Sequence, residues 1–266
     1  MSVLSYLEEI AKNALFDDEE IESIEISIDS LTSKLDGYFG EDIESCEQFG
    51  SSTRGTILPR SMDDNSDIDL MIVFKDSSYK PQTYIDQLKK FVQGSYPKSK
   101  IYQSKPCVVL ELNHIKFDLV PAINRKSLFF NDELRIPNNS DGWQITDPNG
   151  FNTTLTKKNK SHGSLVKPAI RLIKYWNADN GYIFESFLLE NMIVNHNFNF
   201  TFITNKNLKV YFFKIIKDVL IRGRNLSKAN KKRISRARQI VSEIEQCEYR
   251  KDYDKAEDYI KELIPY

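Results

Sequence analysis

Two carboxylates separated by one residue, Asp67 and Asp69, open an apolar run that ends in "LMIVF". If that run is a strand, alternation sends both side chains to one face at its very start. Two like charges pointing one way repel, and a cation between them relieves the repulsion. Oxygen-only ligation favours Mg²⁺ or Mn²⁺ over zinc. Asp118 interrupts a second apolar run, "IKFDLVPAI". A charge there is costly unless it is paired or ligated. An adjacent strand would bring it beside the first pair, completing the three-carboxylate set used in two-metal phosphoryl transfer. Taken singly, these features also fit a turn with solvated aspartates and a salt-bridged edge strand.

The stretch "FGSSTRGT" at 49–56 lies just upstream of the pair. Small residues after a strand let backbone N–H groups and serine hydroxyls approach phosphate oxygens, so Gly50 and Ser51 are candidate triphosphate contacts. The loop from Ser52 to Ser66 also carries Asp63 and Asp64, read as solvated loop residues.

The elements that must hold these residues follow from periodicity. Residues 3–15 and 19–39 repeat apolar positions every three or four residues and read as helices, as does 82–97 with its terminal Gly and Pro. Short β-branched or apolar runs at 70–74, 107–112 and 115–123 read as strands. Past the loop-rich stretch around 135–152 the pattern is helical to the C-terminus. The expected division is an α/β core with N-terminal helices over 1–150 and a helical lobe over 151–266.

The 266 residues are enough for such an arrangement, and 40% hydrophobic with 28% charged residues suits a soluble globular chain. No signal peptide, bilayer-length apolar run or fixed-period repeat is visible, so a cytoplasmic location without membrane contact is expected. Cys46, Cys107 and Cys247 are too scattered and odd in number for a disulfide framework or zinc knuckle, and read as buried or inert thiols. His114, His162 and His196 show no grouping with a nucleophile. Trp143, Tyr175 and Trp176 are read as packing residues rather than base-stacking platforms. The net charge of −1 conceals a basic segment, Lys206 to Arg238, with Asp218 its only acidic residue. It is a solvated helical face or a phosphate-binding surface.

Strand, Gly-Ser, loop, Asp-x-Asp and a later lone Asp resemble the DNA polymerase β-like nucleotidyltransferase superfamily. Within it, "GSSTRGTILPR", "DNSDIDLMIVF" and "IRLIKYWN" with "ESFLLE" look most like the bacterial cGAS/DncV-like, SMODS-type (CD-NTase) enzymes. The resemblance implies an α+β, bilobal polymerase β-like fold with a palm-like core. It implies Asp67, Asp69 and Asp118 as catalytic ligands of two Mg²⁺ (or Mn²⁺) ions, and Gly50, Ser51, Lys174 and Ser186 as nucleotide contacts. It further implies synthesis of a cyclic oligonucleotide from NTPs, ATP among them, in CBASS-type antiviral defence, with an activating protein partner. The rivals are template-independent RNA 3′-end (CCA or poly(A)-type) transfer, under which RNA becomes a partner, and a nucleotide-binding regulator.

Overall fold

The computed structural model describes residues 1–104, 106–125, 133–138, 140–198, 206–223 and 225–266. Arg224, within the basic segment, lies outside the described residues. The fold is α+β. Two compact units divide the chain: Phe16–Arg60 with Asp64–Thr153, and Met1–Leu15 with Ser61–Asp63 and Thr154–Tyr266. The first helix therefore groups with the helical unit, whereas a division at 150 assigns it to the core. Its buried face explains why: α1 (Val3–Asn13) packs on helices of the C-terminal half, and Tyr6 donates to the Ile264 carbonyl at 3.1 Å.

In the α/β unit, β1 (Ile43–Phe49), β2 (Asp67–Phe74), β3 (Lys100–Ser104), β4 (Cys107–Glu111) and β5 (Lys116–Arg125) run in the spatial order β1-β2-β5-β4-β3. β6 (Glu133–Pro137) pairs with β5 and with β7 (Trp143–Ile145). β2 and β5 are parallel neighbours, and every other pairing is antiparallel. Pro121 in the central strand is tolerable because β4 pairs with β5 only up to Leu119 and β6 begins at Ile123, which leaves a gap in the ladder at the proline.

Two helices cover one face of this sheet. α2 (Asp18–Phe39) starts in a capping box, with the Asp17 side chain taking the Glu20 N–H and the Glu20 side chain taking the Asp17 N–H. α4 (Pro81–Ser95) starts with proline in its first turn. Leu31, Leu35 and Phe39 from α2 and Tyr84, Leu88, Phe91 and Val92 from α4 pack on Ile68, Leu70, Ile72, Phe74, Phe117 and Leu119. Each such side chain contributes about 1.5–3 kcal/mol of burial. Trp143 joins this core, its ring edge-on to Tyr84 at 5.7 Å.

Beyond α5 (Pro148–Ser161), the helical unit continues through α6 (Val166–Asp179), α7 (Ser186–Val194), α8 (Leu208–Lys214), α9 (Lys228–Tyr249) and α10 (Tyr253–Leu263). A π-helical turn, Ile215–Val219, continues α8. Trp176 is buried, and Tyr175 donates to the Pro265 carbonyl at 2.6 Å. The basic segment splits in two. Lys209 and Lys214 are ion-paired with Glu248 and Asp218 at 2.7 Å, and Lys217 pairs with Glu245. Lys228, Lys231, Lys232 and Arg238 are exposed on α9.

Candidate active site

The strand parity read from the sequence holds in the ladder. Asp67 and Asp69 alternate with buried Ile68 and Leu70, and Asp69 stands in register with Asp118 on the parallel neighbour β5. All three carboxylates therefore share the face opposite α2 and α4. Farther along that face the strands become apolar, with Met71, Val73 and Ala122 under Leu134 and Ile136. The carboxylates, half-buried, occupy its other end.

Gly50 sits directly beneath one of them. Its φ is +77°, and a Cβ placed there would lie 1.8 Å from Asp69 Oδ2 and 2.6 Å from Asp69 Cγ. A side chain at 50 is thus incompatible with Asp69 where it stands. Residues Gly50–Arg54 form a five-residue helix, α3, rather than an open turn, and Gly55 ends it at φ +67°. The Ser51 carbonyl is engaged by the Thr56 and Ile57 N–H groups at 3.0 and 3.2 Å. Its hydroxyl is half-buried and bonds no other described residue. Ser52 and Thr53 turn their hydroxyls back onto the Phe49 and Gly50 carbonyls, and Arg54 is buried over the Phe151 ring.

Asp118 is held by a neighbour the sequence did not single out. Cys107, on β4, has its Sγ 3.0 Å from Asp118 Oδ2 and 2.9 Å from the Ser104 carbonyl. Burial raises the Asp118 pKa, against lowering by the Cys107 hydrogen bond and the Lys116 charge. Burial also pushes the Cys107 thiol up, and the charges of Asp118, Asp69 and Asp67 add to it. All three carboxylates thus act on one sulfur. Beside it, Tyr102 donates to Glu111 at 2.8 Å, and its phenol is pushed up to about 12 by burial and then by Glu111.

Among the described residues, no group of three or more His, Cys, Asp and Glu side chains is gathered closely enough to hold a metal ion. Asp118 is engaged by Cys107. The donor set nevertheless suits a hard divalent cation: it is all oxygen, on one face of adjacent strands, with Asp69 seated over a glycine.

The remaining predicted residues lie in the helical unit. Lys174 is not on an open helix face. It is 6% exposed, and its ammonium pairs with fully buried Glu190 of α7 at 3.4 Å. Ser186 is the first residue of α7 and exposed; Glu185 occupies the cap position. Asp63 is not a freely solvated loop residue, because it accepts from the Tyr182 hydroxyl at 2.6 Å. Asp64 is exposed, as expected. The histidines do have partners or packing: His114 with Ser27 at 3.0 Å, His162 with Tyr211 at 2.8 Å, and His196 buried against Phe198.

A family model for the Second Messenger Oligonucleotide or Dinucleotide Synthetase (SMODS) domain matches residues 1–159. The chain belongs to the SMODS family. It is 28% identical over 194 residues to a probable cyclic nucleotide synthase of Bacillus cereus (strain VD146), a match covering 60% of this chain and 56% of the relative. The match thus spans little more than half of that relative's length. The structure of Escherichia coli MS115-1 CdnC with ATP aligns at a TM-score of 0.70 and 14% identity, covering 99% of this chain and 97% of that one. The complex of the same protein with HORMA-deltaN aligns at a TM-score of 0.67 and 14% identity, covering 98% and 96%. At these identities the likeness is one of fold. The SMODS match takes in Gly50, Ser51 and all three aspartates, while Lys174 and Ser186 lie beyond it.

Proposed function

We propose that this SMODS chain is a metal-dependent nucleotidyltransferase that joins NTPs, ATP among them, into a cyclic oligonucleotide second messenger. The carrying observation is the carboxylate face: Asp67 and Asp69 on β2, Asp118 in register on β5, and Asp69 seated over Gly50. In this reading Asp67, Asp69 and Asp118 hold two Mg²⁺ or Mn²⁺ ions. Bound there, the ions lower the pKa of an attacking hydroxyl and offset charge on the phosphates and leaving pyrophosphate. Asp118, whose pKa burial raises, takes up the proton of that hydroxyl. The Ser51 hydroxyl donates to a phosphate oxygen, and Gly50 keeps the backbone low enough for the triphosphate to approach.

The family resemblance assigns further triphosphate contacts to Lys174 and Ser186. Ser186 offers an exposed hydroxyl, and the ammonium of Lys174, paired with Glu190, has further protons to give a phosphate. The setting is the cytoplasm of a bacterium defending against phage, with an activating protein partner. Among the described residues no helix is long and apolar enough to cross a membrane.

The test is incubation with labelled NTPs and Mg²⁺ or Mn²⁺, with and without cell extract as a source of partner. Nuclease and phosphatase treatment and mass spectrometry then identify the product. A phosphatase-resistant product formed without RNA is expected, since cyclisation leaves no terminal phosphate. Product that forms only on an RNA 3′ end would overturn the cyclic assignment. No transfer under any condition would remove the enzyme reading.

A further inference from the structure

We propose that Cys107 is a positioning residue for Asp118, its S–H donating to Asp118 Oδ2 and holding that carboxylate in its reactive orientation. This rests on the role given to Asp118 above. Cys107 is 3% exposed. Its sulfur lies within reach of two acceptors, Asp118 Oδ2 at 3.0 Å and the Ser104 carbonyl at 2.9 Å. A thiol has one proton to give. An ionised carboxylate is the stronger acceptor, because charge-assisted hydrogen bonds are about twice as strong as neutral ones. The proton therefore goes to Asp118.

The surroundings make the contact hard to replace. Cys107 clusters with buried Val109 and Val120, and Phe49, Tyr102 and Ile136 pack against them, so water has little access to the sulfur. Val109 is the register partner of Asp118, which puts Cys107 two residues along β4 on the same face. With one lone pair of Oδ2 taken by the thiol, Oδ1 is the less encumbered oxygen for a cation or a ribose hydroxyl. The thiol thus selects which oxygen of Asp118 does the chemistry, without itself touching substrate.

Two measurements test this, and the first needs no activity. In the infrared S–H stretching region of the whole protein, the band lost on Cys107→Ala is that of Cys107. It should lie below the band of an unbonded thiol and rise when Asp118→Asn weakens the acceptor. A Cys107 band indifferent to Asp118→Asn would assign the proton to Ser104 and overturn the proposal. The second is steady-state transfer by folded variants. Cys107→Ala should lower kcat about tenfold at unchanged KM for the NTP, the loss expected for one positioning hydrogen bond. Cys107→Ser, which keeps a donor, should recover most of it. Wild-type kcat in Cys107→Ala, or a Cys107→Ser no better than Cys107→Ala, would also overturn it. Should the chain prove not to be a transferase, the infrared result still decides whether the thiol holds Asp118.

Discussion

The two faces of the β2–β5 pair are made by alternating residues of the same two short strands. Ile68, Leu70, Phe117 and Leu119 point into the core beneath α2 and α4, while Asp67, Asp69 and Asp118, each one residue away, point to the opposite face. One face stabilises the fold, and the other carries charge that the fold must accommodate. Strand alternation separates the two tasks, so the proposed metal-binding carboxylates can be fixed by backbone that the core already holds rigid. The helical unit handles buried charge differently: Lys174 meets Glu190 in a buried pair of opposite sign.

The sharpest way to break the comparison between the faces is to change neighbours. Asp118→Asn should cost several decades of transfer rate with little loss of thermal stability. Leu119→Ala, the next residue, should cost roughly 2–5 kcal/mol of stability by denaturant titration while kcat per folded molecule stays near wild type. If both lose activity and stability together, the division of labour is wrong.

Lys174→Ala tests the buried pair. Removing the ammonium from its buried pair with Glu190 should lower stability in urea unfolding by up to about 3 kcal/mol. Unchanged stability with a weakened affinity for a non-hydrolysable NTP would instead make Lys174 a nucleotide contact first.

Gly50→Ala asks whether the carboxylate face depends on the glycine beneath it. A left-handed conformation costs about 1–2 kcal/mol for a side chain, and the added methyl displaces Asp69. Transfer should therefore fall even where the variant is still folded, and full activity would show that Asp69 need not lie where it does.

The smallest effect is expected at His196. Burial, then the Arg222 charge, lowers its pKa below the ordinary 6.5. The unfolded chain then takes up the proton first as pH falls. The contribution of the neutral ring is complete above pH 6.5 and is lost as pH drops toward the folded value. His196→Gln should flatten the fall in melting temperature across that window. An unchanged slope would assign the acid sensitivity elsewhere.

Much of the candidate site was legible because its signals are local. Asp67 and Asp69 are two residues apart, and the Gly-Ser of α3 lies just upstream. β2, β4, β5 and the long helices follow from apolar runs. The strands that escaped notice lack such runs: β3 reads "KIYQS", and β7 is three residues beside the polar turn after Pro137. α5 buries only Leu155 among its described residues, so "PNGFNTTLTKKNKS" carries almost no apolar stripe. The side-chain pairings that the sequence does not display involve distant partners. Lys174 is buried by a glutamate sixteen residues on, Asp63 is engaged by Tyr182, and Cys107 meets Asp118 only through strand register.

Metal binding is the most direct readout of the carboxylate face. Mn²⁺ is titrated, by calorimetry, into the protein saturated with a non-hydrolysable NTP, and the same is done with Asp67→Asn/Asp69→Asn after its fold is verified by circular dichroism. Two ions in all are expected in the wild-type complex, more than the nucleotide alone holds, with the excess lost in the folded double variant. Equal stoichiometry and affinity in the two proteins would contradict it.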